Sequence, residues 1–365
     1  MFQTLTLGFK NWYTRYERLI PIIAFVCGFI FDMSVLHRID EPSVIIQQAG
    51  YLLFSCILIS VELIEHAREI APPRFLAKVW RYREFLLHFL LGTLLNSYTI
   101  FYFKSASSLT SFIFIIILVV VLTVSEFKRF GQLQTQVHMG LWSLCLVSYF
   151  QSLLPILFGF MGIIPFLASG ISSILVFLVF YRWVRPKLAD QDQVARTHVI
   201  YPYVIIQTLF TAMYFARVIP PVPLSVSYLG IYHSLKKENG NYLLSYSRPE
   251  WKFWQHGDET FYARPGDTVI AYMQVFSPSR FQDQLQVRWS LYDQKRGFQS
   301  QDAIPLQITG GREQGYRAVT QKNHYQPGLW RVQVETMDSH EVGRLDFTIV
   351  NDDGTTEREF HNDIK

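Results

Sequence analysis

The sequence predicts an α-helical polytopic membrane domain of seven transmembrane helices followed by an all-β sandwich domain. Three observations lead there. Half of the 365 residues are hydrophobic and 17% are charged, against roughly 25% charged in an average soluble protein. Seven apolar runs of membrane-spanning length precede about Arg217, and none follows it. From about Tyr242 the pattern turns from long apolar blocks to alternation.

A helix needs about 20 mostly apolar residues to cross the hydrocarbon core. The runs are Leu19–Leu36, Val44–Ile64, Phe85–Phe103, Leu109–Val124, Met139–Leu157, Ile164–Trp183 and Val199–Val218. A soluble bundle would keep a charged face on each helix, yet Ser111 to Ser125 carries no charge. The first run does not read as a cleaved signal, because 18 residues precede it and no small-x-small site follows. Cys27 is not a lipid-attachment cysteine by context, since the bulky Val26 precedes it.

Cytoplasmic loops concentrate Lys and Arg. Alternate loops split the basic residues 14 to 3, with only Arg38, Lys104 and Arg217 on the poorer side. This places the N-terminus in the cytoplasm and everything beyond Arg217 outside it. Residues 1–235 carry a net charge of +6 and residues 236–365 carry −2. No basic stripe points to nucleic acid; the positive charge faces lipid headgroups. The loop "PPRFLAKVWRYREF" begins with Pro72 and Pro73, which end the second helix. Phe75, Leu76, Val79 and Trp80 then share a face, as in an interfacial helix.

Three prolines, Pro220, Pro221 and Pro223, follow the seventh run. Each lacks an amide donor and restricts the residue before it, so the helix stops just past Arg217 and residues 219–241 read as a stiff extended joint. Ser225 to His233, with Tyr228 and Tyr232 four apart, is expected to add an interfacial turn of helix. Cys27, Cys56 and Cys145 all fall in the spans, so the outer domain folds without a disulfide.

Within residues 242–365, "LQVRWSLYD" alternates Leu285, Val287, Trp289 and Leu291 with polar neighbours, as a half-buried strand requires. Trp330, Val332 and Val334, then Leu345, Phe347 and Ile349, repeat the pattern around the polar turn Met337–Glu341. Pro265-Gly266 suits a type II turn between Phe261–Ala263 and Val269–Phe276. Ala303–Ile308 and Tyr316–Thr320 are two further strand candidates. Six or seven short strands in this length predict an immunoglobulin-like sandwich, with a small open barrel as the alternative.

"IPPVPLSVSYLGIYH", followed by a region closing with "PGLWRVQVETMDSHEVGRLDFTIV", resembles bacterial membrane proteins that end in domain of unknown function 2914 (DUF2914). The resemblance covers about the last 150 residues with some specificity, and the membrane half only in layout. It implies the two-part architecture and a bacterial envelope setting, with the C-terminal domain in the periplasm. It brings no catalytic residues.

The membrane polar residues are Glu62 and His66 on the second helix, Glu84 and His88 on the third, and Asp32 near the outer end of the first. Each Glu-His pair is four apart and shares a helix face. Antiparallel packing sets Glu62 level with His88, and His66 level with Glu84. Ionisable groups at this depth are costly and often functional. The Glu-x-x-His spacing of carboxylate-bridged metal bundles is absent, so the pairs read first as a structural clamp and second as a proton or ion path. Asn96, Ser97 and Gln151 are expected as interhelical hydrogen-bond partners. Outside the membrane, His233, His256, His324 and His340 lack metal spacing, Asp352-Asp353 lies in an apparently solvated tail, and no catalytic motif is present. Trp251, Trp254 and Tyr262 form either a stacking surface for a sugar or peptide, or core packing and a lip against the membrane. The reading is a non-enzymatic inner-membrane protein without cofactor or metal, whose partners are the lipid bilayer and an envelope protein or glycan. A small transporter or channel is the alternative, and an intramembrane enzyme ranks third.

Overall fold

The computed structural model describes residues 39–68, 83–107, 109–125, 134–188, 192–249, 251–252, 254–312, 315–355 and 357–365. The first predicted span, Asp32, Cys27 and the interfacial segment at 72–81 lie outside the described residues.

Six long helices occur among the described residues, one at each of the other six predicted spans: α1 (Pro42–Arg68), α2 (Arg83–Ser105), α3 (Leu109–Ser125), α4 (Gln134–Phe158), α5 (Ile163–Val184) and α6 (Tyr201–Phe215). Four of them, α1, α2, α4 and α5, are long and apolar enough to cross a membrane. Their burial runs opposite to that of a water-soluble bundle. On α5, Ile164, Leu167, Ile171, Leu175 and Val179 are exposed by 48–70%, while Ser169 and Ser173 are buried. Those serines bond across helices, Ser169 to the Phe150 carbonyl at 2.9 Å and Ser173 to the Tyr203 hydroxyl at 2.8 Å. Small polar residues inside and large apolar residues outside is the arrangement lipid favours. Ser97, expected to bond between helices, instead donates to the Thr93 carbonyl of its own helix at 2.9 Å.

The last helix ends at Phe215, before the prolines. Arg217 takes a left-handed φ of 57°; Val218 N donates to the Met213 carbonyl at 2.9 Å and Arg217 N to Tyr214 at 2.8 Å. This is a Schellman-type cap. The prolines that follow are turned rather than extended: Val222 N bonds to Pro220 O and Leu224 N to Pro221 O, both at 2.9 Å. Pro220, Pro221 and Pro223 are all buried.

Strands begin at Ser225, where a turn of helix was expected. Among the described residues the strands are β1 (Ser225–Tyr232), β2 (Ser234–Glu238), β3 (Asn241–Tyr246), β4 (Thr260–Ala263), β5 (Val269–Phe276), β6 (Gln282–Asp293), β7 (Gly297–Thr309), β8 (Tyr316–Lys322), β9 (Gly328–Thr336), β10 (Glu341–Asn351) and β11 (His361–Ile364). The joint therefore shortens to the residues before Ser225. Three sheets form, in the orders β4-β10-β9-β6-β7, β1-β5-β8 and β11-β3-β2. The predicted hairpin is β9-β10, paired with Phe347 opposite Trp330. Gly266 adopts the positive φ, 92°, expected of the Pro-Gly turn, yet β4 leaves that turn to pair in parallel with β10.

The first two sheets face each other over a core that joins Leu229, Ile231 and Met273 to Trp289, Trp330 and Phe347. Each of these large side chains contributes about 1.5–3 kcal/mol by leaving water. The third sheet covers the other face of β1-β5-β8 through Tyr228, Tyr232, Tyr272, Leu244 and Tyr246. With both faces covered, β5 reads VIAYMQVF with almost no polar residue, as a doubly buried strand does. β1 also abuts β10, where Gly343 leaves room: a Cβ there would sit 2.4 Å from Val226.

Among the described residues, the β region touches the helices at one end of the bundle. Asp40 ahead of α1 accepts from Ser279 N at 3.1 Å, and Ser107 after α2 donates to Glu341 at 2.9 Å. In the α4–α5 turn, Gly159 O accepts from Gln282 N at 2.9 Å and Met161 N donates to Asp283 at 2.8 Å. Tyr214 at the end of α6 donates to Asp338 at 2.8 Å. These are the loops poor in Lys and Arg. Arg83, Arg182, Arg185 and Lys187 sit at the opposite helix ends.

Candidate functional site

Three places hold chemistry-bearing side chains together. The first is in the helices. Glu62, two turns from the end of α1, accepts from Thr135 Oγ1 at 2.9 Å and lies 2.9 Å from His138 Nδ1. His138 is buried, and its ring meets that of His88 edge-on at 5.6 Å. The expected Glu62–His88 pair is thus replaced by Glu62–His138, with His88 one step further away. α1 and α2 do run antiparallel with these residues at one depth, but the turn of α1 about its axis aims Glu62 at α4. Among the described side chains Glu65 faces Arg83 at 3.9 Å; the side chains of His66 and Glu84 lie outside the described set. A carboxylate clamped by a hydroxyl and an imidazole can hold helices together or hold a proton.

The second place is the seam between α6 and the β9–β10 turn. Asp338 accepts from Tyr214 at 2.8 Å and from Thr336 Oγ1 at 2.5 Å, and lies 3.2 Å from His340 Nδ1. His340 Nε2 is 3.1 Å from the Tyr214 carbonyl. The Tyr214 ring stacks on Phe166 at 3.5 Å and meets the His340 ring, tilted by 31°, at 4.5 Å. Burial alone would raise the Asp338 carboxyl, but the bonds from His340, Thr336 and Tyr214 outweigh it and hold it below the usual carboxylate range. His340, which the sequence placed among scattered histidines, is buried at the centre of this latch. Pro220 and Pro221 of the joint line a narrow crevice beside it, with Gln151.

The third place is the loop between β3 and β4. Asp258 is buried and accepts from Ser247 N at 3.0 Å and Arg248 N at 2.8 Å, while its own N–H bonds to Ile231 O at 2.8 Å. These bonds pin both ends of the loop that carries Trp251 and Trp254. The two indoles meet edge-on at 5.5 Å and are 65% and 58% exposed; Tyr262 on β4 is 50% exposed. They are not core residues. Nor do they lie where the β region meets the helices, because the loop joins β1 at Ile231, about 20 Å along the strand from Ser225. Tyr262 borders a cavity of about 320 Å³ lined also by Ser247, Asp352, Glu357, Arg358 and Glu359. Asp352, expected to be solvated, is tied to Arg264 at 2.6 Å and to Arg358 at 3.3 Å. Among the described residues no three His, Cys, Asp or Glu side chains gather to hold a metal ion.

Together these define a helical region with four helices of membrane-crossing length and apolarity, joined to an all-β region of several sheets. Residues 282–349, from β6 through most of β10, match the family model described as protein of unknown function (DUF2914). No curated protein is similar enough to count as a match. Among solved structures, the β-glucosidase from Listeria innocua in complex with glucose aligns at 12% identity over 30% of this chain and 16% of that one, with a TM-score of 0.19. Its complex with isofagomine aligns at 13% identity over 31% and 16%, TM-score 0.18. The chain thus spans about a sixth of the β-glucosidase length. The Pseudomonas fluorescens alkylpurine DNA glycosylase AlkC bound to DNA aligns at 7% identity over 83% and 99%, TM-score 0.22. At these scores none of them informs fold or function.

Proposed function

We propose that this chain is a non-enzymatic, seven-span protein of the bacterial inner membrane that presents an immunoglobulin-like β-sandwich in the periplasm to bind an envelope protein or glycan. The membrane domain runs through residue 218, a short proline joint follows, and the remainder lies outside with the N-terminus in the cytoplasm. The basic-residue split supports this sidedness, since the loops poor in Lys and Arg are those that touch the β region.

The observation that carries the binding reading is the exposed Trp251–Trp254 pair on a loop pinned through Asp258, with Tyr262 also exposed on β4. Exposed aromatics on a rigid support dominate many binding surfaces. A photo-crosslinking p-benzoyl-phenylalanine at Tyr262 inserts into nearby C–H bonds of protein or glycan alike. In intact cells it is expected to yield a discrete product whose amount falls at least about fivefold in the Trp251→Ala/Trp254→Ala variant, the loss typical of removing binding hot spots. The same label at Arg296, in the β6–β7 turn, should give none. Equal products at both positions, or no effect of the double variant, would remove the reading.

A second reading, a small transporter or channel, rests on the clamped Glu62 carboxylate among α1, α2 and α4. Under it, Glu62→Gln and His138→Ala each lower proton or solute flux in proteoliposomes, as intramembrane ionisable groups commonly line ion and substrate paths. Unchanged flux with the protein still folded leaves Glu62 as a helix clamp.

A further inference from the structure

The cavity that Tyr262 borders, of about 320 Å³, is at the small end of the range for ligand pockets. Three stretches of chain build it. Ser247 follows β3, Tyr262 lies on β4, and Asp352, Glu357, Arg358 and Glu359 come from the segment between β10 and β11.

Neighbouring bonds fix the frame of the cavity. Arg358 donates to Asp267 at 2.7 Å and to Asp352 at 3.3 Å, and Asp352 also accepts from Arg264 at 2.6 Å. The Ser247 amide donates to Asp258 at 3.0 Å. Tyr262 stands opposite Val350 in the parallel β4–β10 pair and is 50% exposed; Glu357 and Glu359 are exposed as well. The aromatic ring and the guanidinium are thus positioned in advance, so less ordering is lost when a ligand binds.

The lining selects among partners. Among the described residues no Ala, Val, Leu, Ile, Met or Phe borders the cavity, so an aliphatic protein anchor finds no apolar surface there. Protein interfaces are depleted in Asp and Glu, whereas three of the six lining residues here are acidic, against one guanidinium. The same excess of carboxylates repels acidic ligands. A ligand rich in hydroxyls, with one apolar face, suits what is left. A sugar ring has both, since its hydroxyls donate to carboxylates in charge-assisted hydrogen bonds and its C–H face covers an aromatic ring.

We infer that this cavity is a subsite for a non-acidic glycan, with Tyr262 stacked on a sugar ring and Glu357, Glu359 and Ser247 bonded to its hydroxyls. This names the partner and rests on the binding reading above.

The test identifies what p-benzoyl-phenylalanine at Tyr262, which keeps an aromatic ring there, captures in intact cells. Mass spectrometry of the labelled peptide should show an addition of hexose or amino-sugar units that periodate degrades and proteases leave intact. Glu357→Ala/Glu359→Ala should lower its amount about tenfold or more, since hydrogen bonds to charged acceptors are the strong ones. Asp353→Asn, which alters an exposed carboxylate of the same segment that does not line the cavity, should leave the amount unchanged. Both glutamates are exposed, so the double variant keeps the fold, which its tryptophan fluorescence checks. An addition that proteases digest, or one made of uronic acid units, overturns the glycan assignment and leaves the binding reading in place. An amount unchanged in Glu357→Ala/Glu359→Ala overturns the cavity as the site. No product at all from Tyr262 sinks the binding reading itself.

Discussion

Asp338→Ala will loosen the β region from the helices, raising amide exchange at Val222 and Leu224 about 100-fold. The carboxylate is the shared acceptor for the Tyr214 and Thr336 hydroxyls and sits against His340. Its loss leaves two donors and an imidazole at a buried seam without their partner, and each such orphan costs about 1–3 kcal/mol. A total near 3 kcal/mol corresponds to about two powers of ten in opening. The readout is local because the amides of Val222 and Leu224 bond only within the joint that the latch closes over. Asp338→Asn keeps an oxygen for Tyr214 and should raise exchange only about tenfold. Exchange unchanged in Asp338→Ala would mean that apolar packing alone holds the two regions together.

The second large effect concerns pH. Burial pushes the Asp258 carboxyl up to about 6, with the Ser247 and Arg248 amides opposing. Its folded value is raised, so its contribution to stability is complete below about 4 and is lost as pH rises through about 6. Burial, and then the Arg358 charge, lower His233 to about 4 against the opposing pull of Asp267. Here the neutral form is favoured, so the contribution is complete above about 6.5 and is lost as pH falls toward 4. The two slopes oppose each other between about pH 4 and 6, and the groups titrate as a coupled pair, since His233 Nε2 lies 3.6 Å from Asp258 Oδ2. Asp258→Asn should unmask the histidine, giving stability that rises with pH across this window. His233→Phe should unmask the aspartate, giving stability that falls. Unfolding midpoints followed by tryptophan fluorescence check both; parallel curves in the two variants would contradict the assignment.

Much of this molecule is legible in its sequence, for definite reasons. Val269–Phe276 is legible to the residue because Pro265-Gly266 marks its start and its apolar run is too short for a helix. β1 is ambiguous in the sequence because residues four apart share a face at both the helical and the extended period, so Tyr228 and Tyr232 fit either. The tertiary partner decided it: both hydroxyls reach Asp363, at 3.0 and 2.9 Å, on β11. β2 and β3 carry no clean alternation, since they cover a sheet rather than form the central core. His138 left no signal, as spacing along one helix fixes depth and face but not which neighbouring helix the face meets. The Asp338–His340 latch was equally hidden, because its partner Tyr214 lies far back in the chain.

The sidedness on which the proposed role depends has a direct measurement. A reporter active only outside the cytoplasm, fused after Lys365, should be active in cells, and the same reporter fused at Lys128, between α3 and α4, should be silent. An inactive fusion at Lys365 with an active one at Lys128 would contradict the proposal, since the aromatic face would then look into the cytoplasm.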